Sequence, residues 1–202
     1  MKHCKKIIWL LSFFLAVRAD AQNIDLAILK SINPRYPNAL VWRVASGSVD
    51  WISGGISLGT LAYGYIAKDK AITHNGYELL MTIGINMGVT QALKITVNRT
   101  RPSTRYPNEV FVRSVSRDKS FPSGHTSDVF AIATTLTLQY HKWYVTVPAY
   151  AWAGCVGYSR LYLGKHYPSD VLAGALTGVA SSYVSHLITK KRFRQKKAGQ
   201  EK

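Results

Sequence analysis

Ser159-Arg160-Leu161-Tyr162-Leu163-Gly164-Lys165-His166-Tyr167-Pro168-Ser169-Asp170 lies between two apolar runs, Trp143 to Tyr158 and Val171 to Ile188. A cation, an imidazole and a carboxylate are thus set in a turn between two helices. His166 and Asp170 are four residues apart, one helical turn, so the carboxylate can take the Nδ1 proton and leave Nε2 free as a nucleophile. Pro168 suits the first turn of a helix, where its missing donor costs nothing, and Ser169 and Asp170 favour the same place. A phosphate beside that turn would meet Arg160 and helix-terminal amides. The alternative is a polar interhelical loop whose histidine and aspartate satisfy each other, and the stretch alone does not choose.

Working outward, further apolar runs extend from Trp51 to Ala67, Tyr77 to Val97 and about Thr126 to Tyr140. The pattern predicts an all-α chain, a polytopic membrane helix bundle with about five transmembrane helices. The runs from Thr126 and Trp143 hold only about 15 and 16 residues, short of a span, so flanking polar motifs must continue those helices. Residues 1–21, with Lys2, Lys5 and Lys6, an apolar stretch from Ile7 to Val17 and then Ala19-Asp20-Ala21, read as a signal peptide ahead of Gln22. Arg18, between the apolar stretch and the cut, leaves retention as a short membrane anchor open. From Asn23 to Ser48 we expect a short interfacial helix and a loop. The domain then spans 22–189, and 190–202 is a basic tail. Lys68, Lys70, Lys142 and the tail fall on one side, as the positive-inside rule requires of a cytoplasmic face. The segment Asn98–Pro122 and the turn Leu161–Ser169 fall on the other, outer side.

The chain of 202 residues carries 26 Lys plus Arg against 10 Asp plus Glu. A polyanionic partner follows: nucleic acid, an anionic membrane or a phosphorylated substrate. A hydrophobic content of 47%, five Trp, twelve Tyr and long charge-free runs favour the membrane, and no nucleic-acid motif is present. Two cysteines, Cys4 and Cys155, provide no disulfide framework or metal site, and Cys155 is expected as a small core residue.

Two more polar clusters stand out. Lys94 and Arg101 are seven residues apart, about two turns, and could clasp one phosphate; alternatively Lys94 snorkels and Arg101 is solvated. In Pro122-Ser123-Gly124-His125 the glycine permits a tight turn, Ser123 offers a hydroxyl and an N-cap, and the amides form an anion pocket. His125 could protonate a leaving group, or be a surface histidine beside a plain cap.

Together, Lys94 with six residues to Arg101-Pro102, then Pro122-Ser123-Gly124-His125, then Ser159-Arg160 with five residues to His166 and three to Asp170, resemble the signature of the type 2 phosphatidic acid phosphatase (PAP2) superfamily. The resemblance covers about Lys94 to Asp170 and implies a phosphatase, independent of metal and cofactor, that forms a phosphohistidine. It implies His166 as nucleophile, Asp170 as its orienting carboxylate and His125 as general acid. Lys94, Arg101, Ser123, Gly124 and Arg160 would bind the phosphoryl oxygens, which agrees with a transfer that needs positioning and neutralised charge.

The superfamily includes soluble periplasmic acid phosphatases, and the mean hydropathy of −0.02 is low for a polytopic protein, so that alternative stays open. Vanadate-dependent haloperoxidases, usually longer, and a non-catalytic lipid-binding protein are the others. Arg99, Arg101, Arg105, Arg113, Arg117 and Lys119 against Glu109 and Asp118 make the outer loop basic beyond one phosphate. Lipid A in a bacterial inner membrane, with the site facing the periplasm, is therefore the preferred substrate, ahead of undecaprenyl diphosphate or phosphatidylglycerol phosphate.

Overall fold

Helices follow one another with short joints in the computed structural model, which describes residues 24–116 and 118–200, side chains through residue 191. They are α1 (24–32), α2 (Leu40–Ile66), α3 (Lys70–Val97), α4 (Pro102–Arg105), α5 (Gly124–Tyr140), α6 (Trp143–Tyr162) and α7 (Pro168–Gln200). No strand occurs among the described residues. The leader 1–21, the start at Gln22 and Arg117 lie outside them.

Local chemistry sets the joints. Asp69 opens α3 by accepting from the N–H groups of Ala71 (2.8 Å) and Ile72 (3.1 Å), satisfying two donors that have no intrahelical partner. Asn98 closes the same helix in the left-handed region at φ 51°, a conformation asparagine tolerates well. Pro102 starts α4 at a position where a missing N–H is harmless.

Consecutive long helices run antiparallel, which the contacts at the two ends make plain. At one end Arg160 of α6 donates to Ser46 of α2, and the Ser123 N–H donates to the Asp170 carbonyl (3.0 Å). At the other, Gln139 of α5 donates to the Asn75 carbonyl of α3 (3.0 Å), and His186 of α7 meets Glu78 of α3 (2.8 Å). Lys68, Lys70 and Lys142 lie in or beside the joints of that second end.

Two aspects of packing matter for the site. First, α7 lies close on α5: a Cβ built on Gly174 would be 2.6 Å from the Ser123 carbonyl oxygen, so glycine is what lets the two helix starts meet. Second, the α3/α5/α7 seam is polar. Thr135 donates to Thr82 (3.1 Å) and pairs with Ser182 (2.8 Å), while Asn86 donates to Asp128 (2.6 Å) and accepts from Ser127. The apolar cluster Val49, Val129, Ala133, Ala153 and Val156 joins α2, α5 and α6 instead. A second cluster, Leu29, Val110 and Tyr167, seats α1 over the end that carries the signature residues.

Several boundaries differ from the sequence expectation. α2 starts at Leu40 rather than Trp51, because no proline interrupts Leu40 to Asp50 and the single Gly47 is too small a cost to end the helix. α7 continues through the basic stretch after Ile188 to Gln200, since Lys, Arg and Gln are good helix formers. Cys155 is exposed and not a core residue, because the buried stripe of α6 runs through Ala153, Val156, Gly157 and Arg160 and leaves position 155 outside it. As for the expected five spans, one helix among the described residues is long and apolar enough by itself to cross a membrane, Pro168–Lys191 with mean hydropathy 1.4. Of the others, α3 and α5 carry polar seam residues along their length, which lowers their average.

Candidate active site

The turn between α6 and α7 is tight because Gly164 adopts φ +65°, where a Cβ would lie 2.5 Å from the Phe111 carbonyl oxygen. This drives His166 inward until it is 1% exposed. Its Nδ1 is 2.8 Å from the Ser120 carbonyl oxygen and 3.6 Å from Oδ2 of Asp170. A carbonyl only accepts, so Nδ1 carries the proton and Nε2 keeps its lone pair. The tautomer is the one anticipated, but Ser120 takes the proton that spacing alone assigned to Asp170. Nε2 lies 3.2 Å from Nη1 of Arg101, which donates to it. Burial pushes the His166 imidazole down to about 3, with Arg160 and Arg101 adding to the effect and Asp170 opposing it. The ring is therefore neutral at any ordinary pH.

Asp170 is fully buried and saturated. It accepts from Nη1 of Arg99 (2.7 Å), the Ser120 hydroxyl (2.5 Å) and the Tyr167 N–H (3.0 Å). Arg99 also donates to Asp25 of α1 (2.8 Å) and to the Ser169 hydroxyl (2.7 Å), and its guanidinium stacks 3.9 Å over the Tyr167 ring. Asp25 in turn accepts from the Ser169 N–H (2.9 Å) and hydroxyl, capping α7 from 144 residues away. Leaving any of these buried groups without its partner would cost about 1–3 kcal/mol.

A second carboxylate, Asp118, lies in the loop ahead of α5. Both its oxygens are 2.8 Å from Nη2 of Arg101, and Nζ of Lys94 lies 3.3 Å from Oδ2. Lys94 and Arg101 do converge on one anion, and that anion is a side chain of the same protein. Partial burial would raise the Asp118 carboxyl, yet the hydrogen bonds and charge of Arg101, helped by Lys94, hold it below the usual carboxylate range. A cavity of about 450 Å³ adjoins it, lined by Gln91, Lys94, Ile95, Asn98, Asp118 and Lys119.

Arg160 is 7% exposed and makes no ion pair among the described residues; it donates to Ser46, and its Nε has no partner. His125, in the first turn of α5, is half-buried, with Arg160, Arg101, Asp118 and Asp50 as its charged neighbours. The Ser123 hydroxyl does not cap α5; it pairs with Thr126 (2.9 Å), so what α5 presents is its first amides, those of Gly124 and His125. Every signature residue thus gathers at one end of the fold. Sequence reasoning missed Ser120, Asp118, Arg99 and Asp25. A carbonyl has no sequence signal, whereas an acid inside the basic loop is a visible sign that one of its cations is taken.

The PAP2 superfamily model matches residues 76–194, a span of more than half of the chain that contains every residue of the signature. The chain belongs to the PAP2 superfamily. This PAP2 chain is 30% identical over 135 residues to a lipid A 1-phosphatase of Porphyromonas gingivalis, a match covering 65% of the chain and 28% of that relative. It is 33% identical over 110 residues to an undecaprenyl-diphosphatase of Sulfolobus acidocaldarius, covering 54% of the chain and 53% of that relative. Among solved structures it resembles Aquifex aeolicus LpxE at 26% identity and a TM-score of 0.64, over 79% of this chain and 93% of that one. The matched region is thus about a quarter to a half of the two curated relatives' own lengths.

Proposed function

We propose that this PAP2 chain is a lipid phosphatase working through a phosphohistidine. The observation that carries the proposal is Arg160, a buried guanidinium that makes no ion pair among the described residues, whose Nε is unpartnered and whose charge acts on the neutral His166. A buried, unpaired cation is costly unless an anion completes the site. A phosphoryl group is the anion that uses Arg160, Arg101, Lys94 and the α5 amides of Gly124 and His125 together, with Ser123 holding that turn.

In this reading the substrate phosphate displaces Asp118 and draws Arg101 off Nε2. Nε2 of His166 then attacks phosphorus, the P–O bond to the lipid breaks, and His125 gives its proton to the departing oxygen. Asp170 offsets the positive charge that develops on the imidazole. A water, deprotonated by His125, next attacks the phosphohistidine, the N–P bond breaks and free phosphate leaves. The cations neutralise the equatorial oxygens, which is the chief requirement of phosphoryl transfer.

A membrane setting is supported by how surface and interior are divided. Large apolar side chains face outward, among them Trp51 (84% exposed), Ile66 (80%) and Trp143 (77%), while Ser57, Thr82, Asn86, Ser127, Thr135 and Ser182 are buried. We place the site at the periplasmic face of a bacterial inner membrane, with Lys68, Lys70 and Lys142 at the cytoplasmic end. A soluble periplasmic enzyme has no reason to carry this outer surface; extraction that succeeds without detergent would favour it.

For the substrate we favour lipid A, on the name of the Porphyromonas gingivalis relative, over undecaprenyl diphosphate and phosphatidylglycerol phosphate. The basic loop argues less for it than its composition suggests. Arg99 and Arg101 are taken up inside the site, so the surplus among described residues is the exposed Arg105, Arg113 and Lys119. The test is phosphate release from a panel of purified envelope lipids, with His166→Ala as the blank. Full activity in that variant would refute the reading, and preference for another lipid would reassign the substrate.

A further inference from the structure

Arg99 and Asp25 play no part in the chemistry just derived, yet they are among the most fully bonded groups in the molecule. Arg99 spends its guanidinium on two carboxylates and one hydroxyl, and its face on Tyr167. In the mechanism proposed above Arg101, Arg160 and Lys94 meet the phosphate, whereas Arg99 is taken up by Asp170, Asp25, Ser169 and the Tyr167 ring. Asp170 is completely buried, and its nearest contact to the neutral His166 is 3.6 Å, so the positive charge that balances it in the resting site comes from Arg99. Asp25 then fixes Arg99 from behind and holds the Ser169 N–H at the start of α7.

Resting on the phosphatase reading, we propose that Arg99 and Asp25 are positioning residues of the reaction. They hold Asp170 ionised and aimed at His166, and they make α1 a working part of the active site. The geometry separates two jobs. Arg99 secures Oδ1 of Asp170, which leaves Oδ2 to Ser120, the Tyr167 N–H and the edge of His166. When Nε2 bonds to phosphorus and the imidazole gains charge, Oδ2 is already on the Nδ1 side of the ring. Without Arg99 a buried carboxylate would tend to take up a proton and lose that role. Asp25 acts one step further back. It keeps the guanidinium from turning to solvent and keeps the helix start that carries Asp170 in register.

The test is a double-mutant cycle on the full chain in detergent, with a phosphomonoester substrate and with inorganic phosphate as the binding probe. Phosphate-binding stoichiometry counts the folded sites, so loss of fold is not mistaken for loss of rate. We expect Arg99→Gln to lower kcat by roughly 30- to 100-fold with KM changed less than about threefold, the pattern of a supporting residue behind an intact binding site. In an Asp170→Asn background the same substitution should cost less than about threefold, since the group it serves is gone. Arg99→Lys should recover part of the loss, and Asp25→Asn should reproduce a weaker form of it, about tenfold. Equal losses of kcat for Arg99→Gln in both backgrounds would overturn the proposal, because the effect would not pass through Asp170. A rise in KM at constant kcat would also overturn it, making Arg99 a substrate ligand. Failure of the phosphatase reading is a separate result: the unmodified chain, or His166→Ala, would show it before any Arg99 variant was made.

Discussion

Two carboxylates are tied to His166, Asp170 directly at 3.6 Å and Asp118 through Arg101, and they could hardly be held more differently. Asp170 is fully buried, and its partners are a hydroxyl, a backbone amide and a braced guanidinium, all belonging to rigid helix starts or joints. The Asp118 side chain is 57% exposed, sits in an irregular loop and is held by cations alone. A group in the first setting cannot leave without stranding several buried partners. One in the second is worth at most about 1 kcal/mol of pairing and exchanges readily with a better anion. The first is built in, and the second keeps the place of something else.

The sharpest way to break this contrast is at Asp170. Asp170→Asn should lower kcat by about 10²–10³, short of the 10⁴ typical when a tautomer is also lost, because the Ser120 carbonyl still holds the Nδ1 proton. Activity within a few-fold of the unmodified protein would remove Asp170 from the mechanism. Next comes His125, which has Asp118 among its charged neighbours. His125→Ala should cost about 10² on a lipid phosphate and less than about tenfold on p-nitrophenyl phosphate, whose leaving group needs little protonation. Equal losses on the two substrates would exclude a general acid at this position.

Asp118→Asn should act in the opposite direction to both, lowering KM by about two- to fivefold with kcat unchanged, the range of an exposed ion pair. A higher KM would mean that Asp118 orients Arg101 for the substrate instead of competing with it. pH sharpens the same comparison. The Asp118 carboxyl is held below its usual range, so it stays ionised on mild acidification, whereas a phosphate monoester loses its second charge near pH 6. KM should therefore rise between pH 7 and 5, and by the same factor in Asp118→Asn, because an ionised Asp118 competes equally throughout that window. His166, held down to about 3, should add no acid limb of its own in that window. The smallest expected effect is none: excess EDTA should leave kcat unchanged, since the charge on the phosphate is met by Arg101, Arg160 and Lys94.

What the sequence determined by itself follows from local rules. Helix propensity, Asp69 and Asn98 at the ends of α3, Pro102 and Pro168 at helix starts, and the ordered spacing of Lys94, Arg101, His125, Arg160, His166 and Asp170 are all properties of neighbours in the chain. They were legible for that reason, and so was the all-α class. The identity of the partners was not. Ser120 in place of Asp170 on Nδ1, Asp118 on Arg101, and Asp25 capping a helix 144 residues away are decided by which joints meet in space. The near-zero mean hydropathy has a related origin: it averages a polar seam of Thr82, Asn86, Ser127 and Thr135 with an apolar outer face. Hydrogen bonds across the seam satisfy those polar groups, and only the packed helices reveal which side each residue faces.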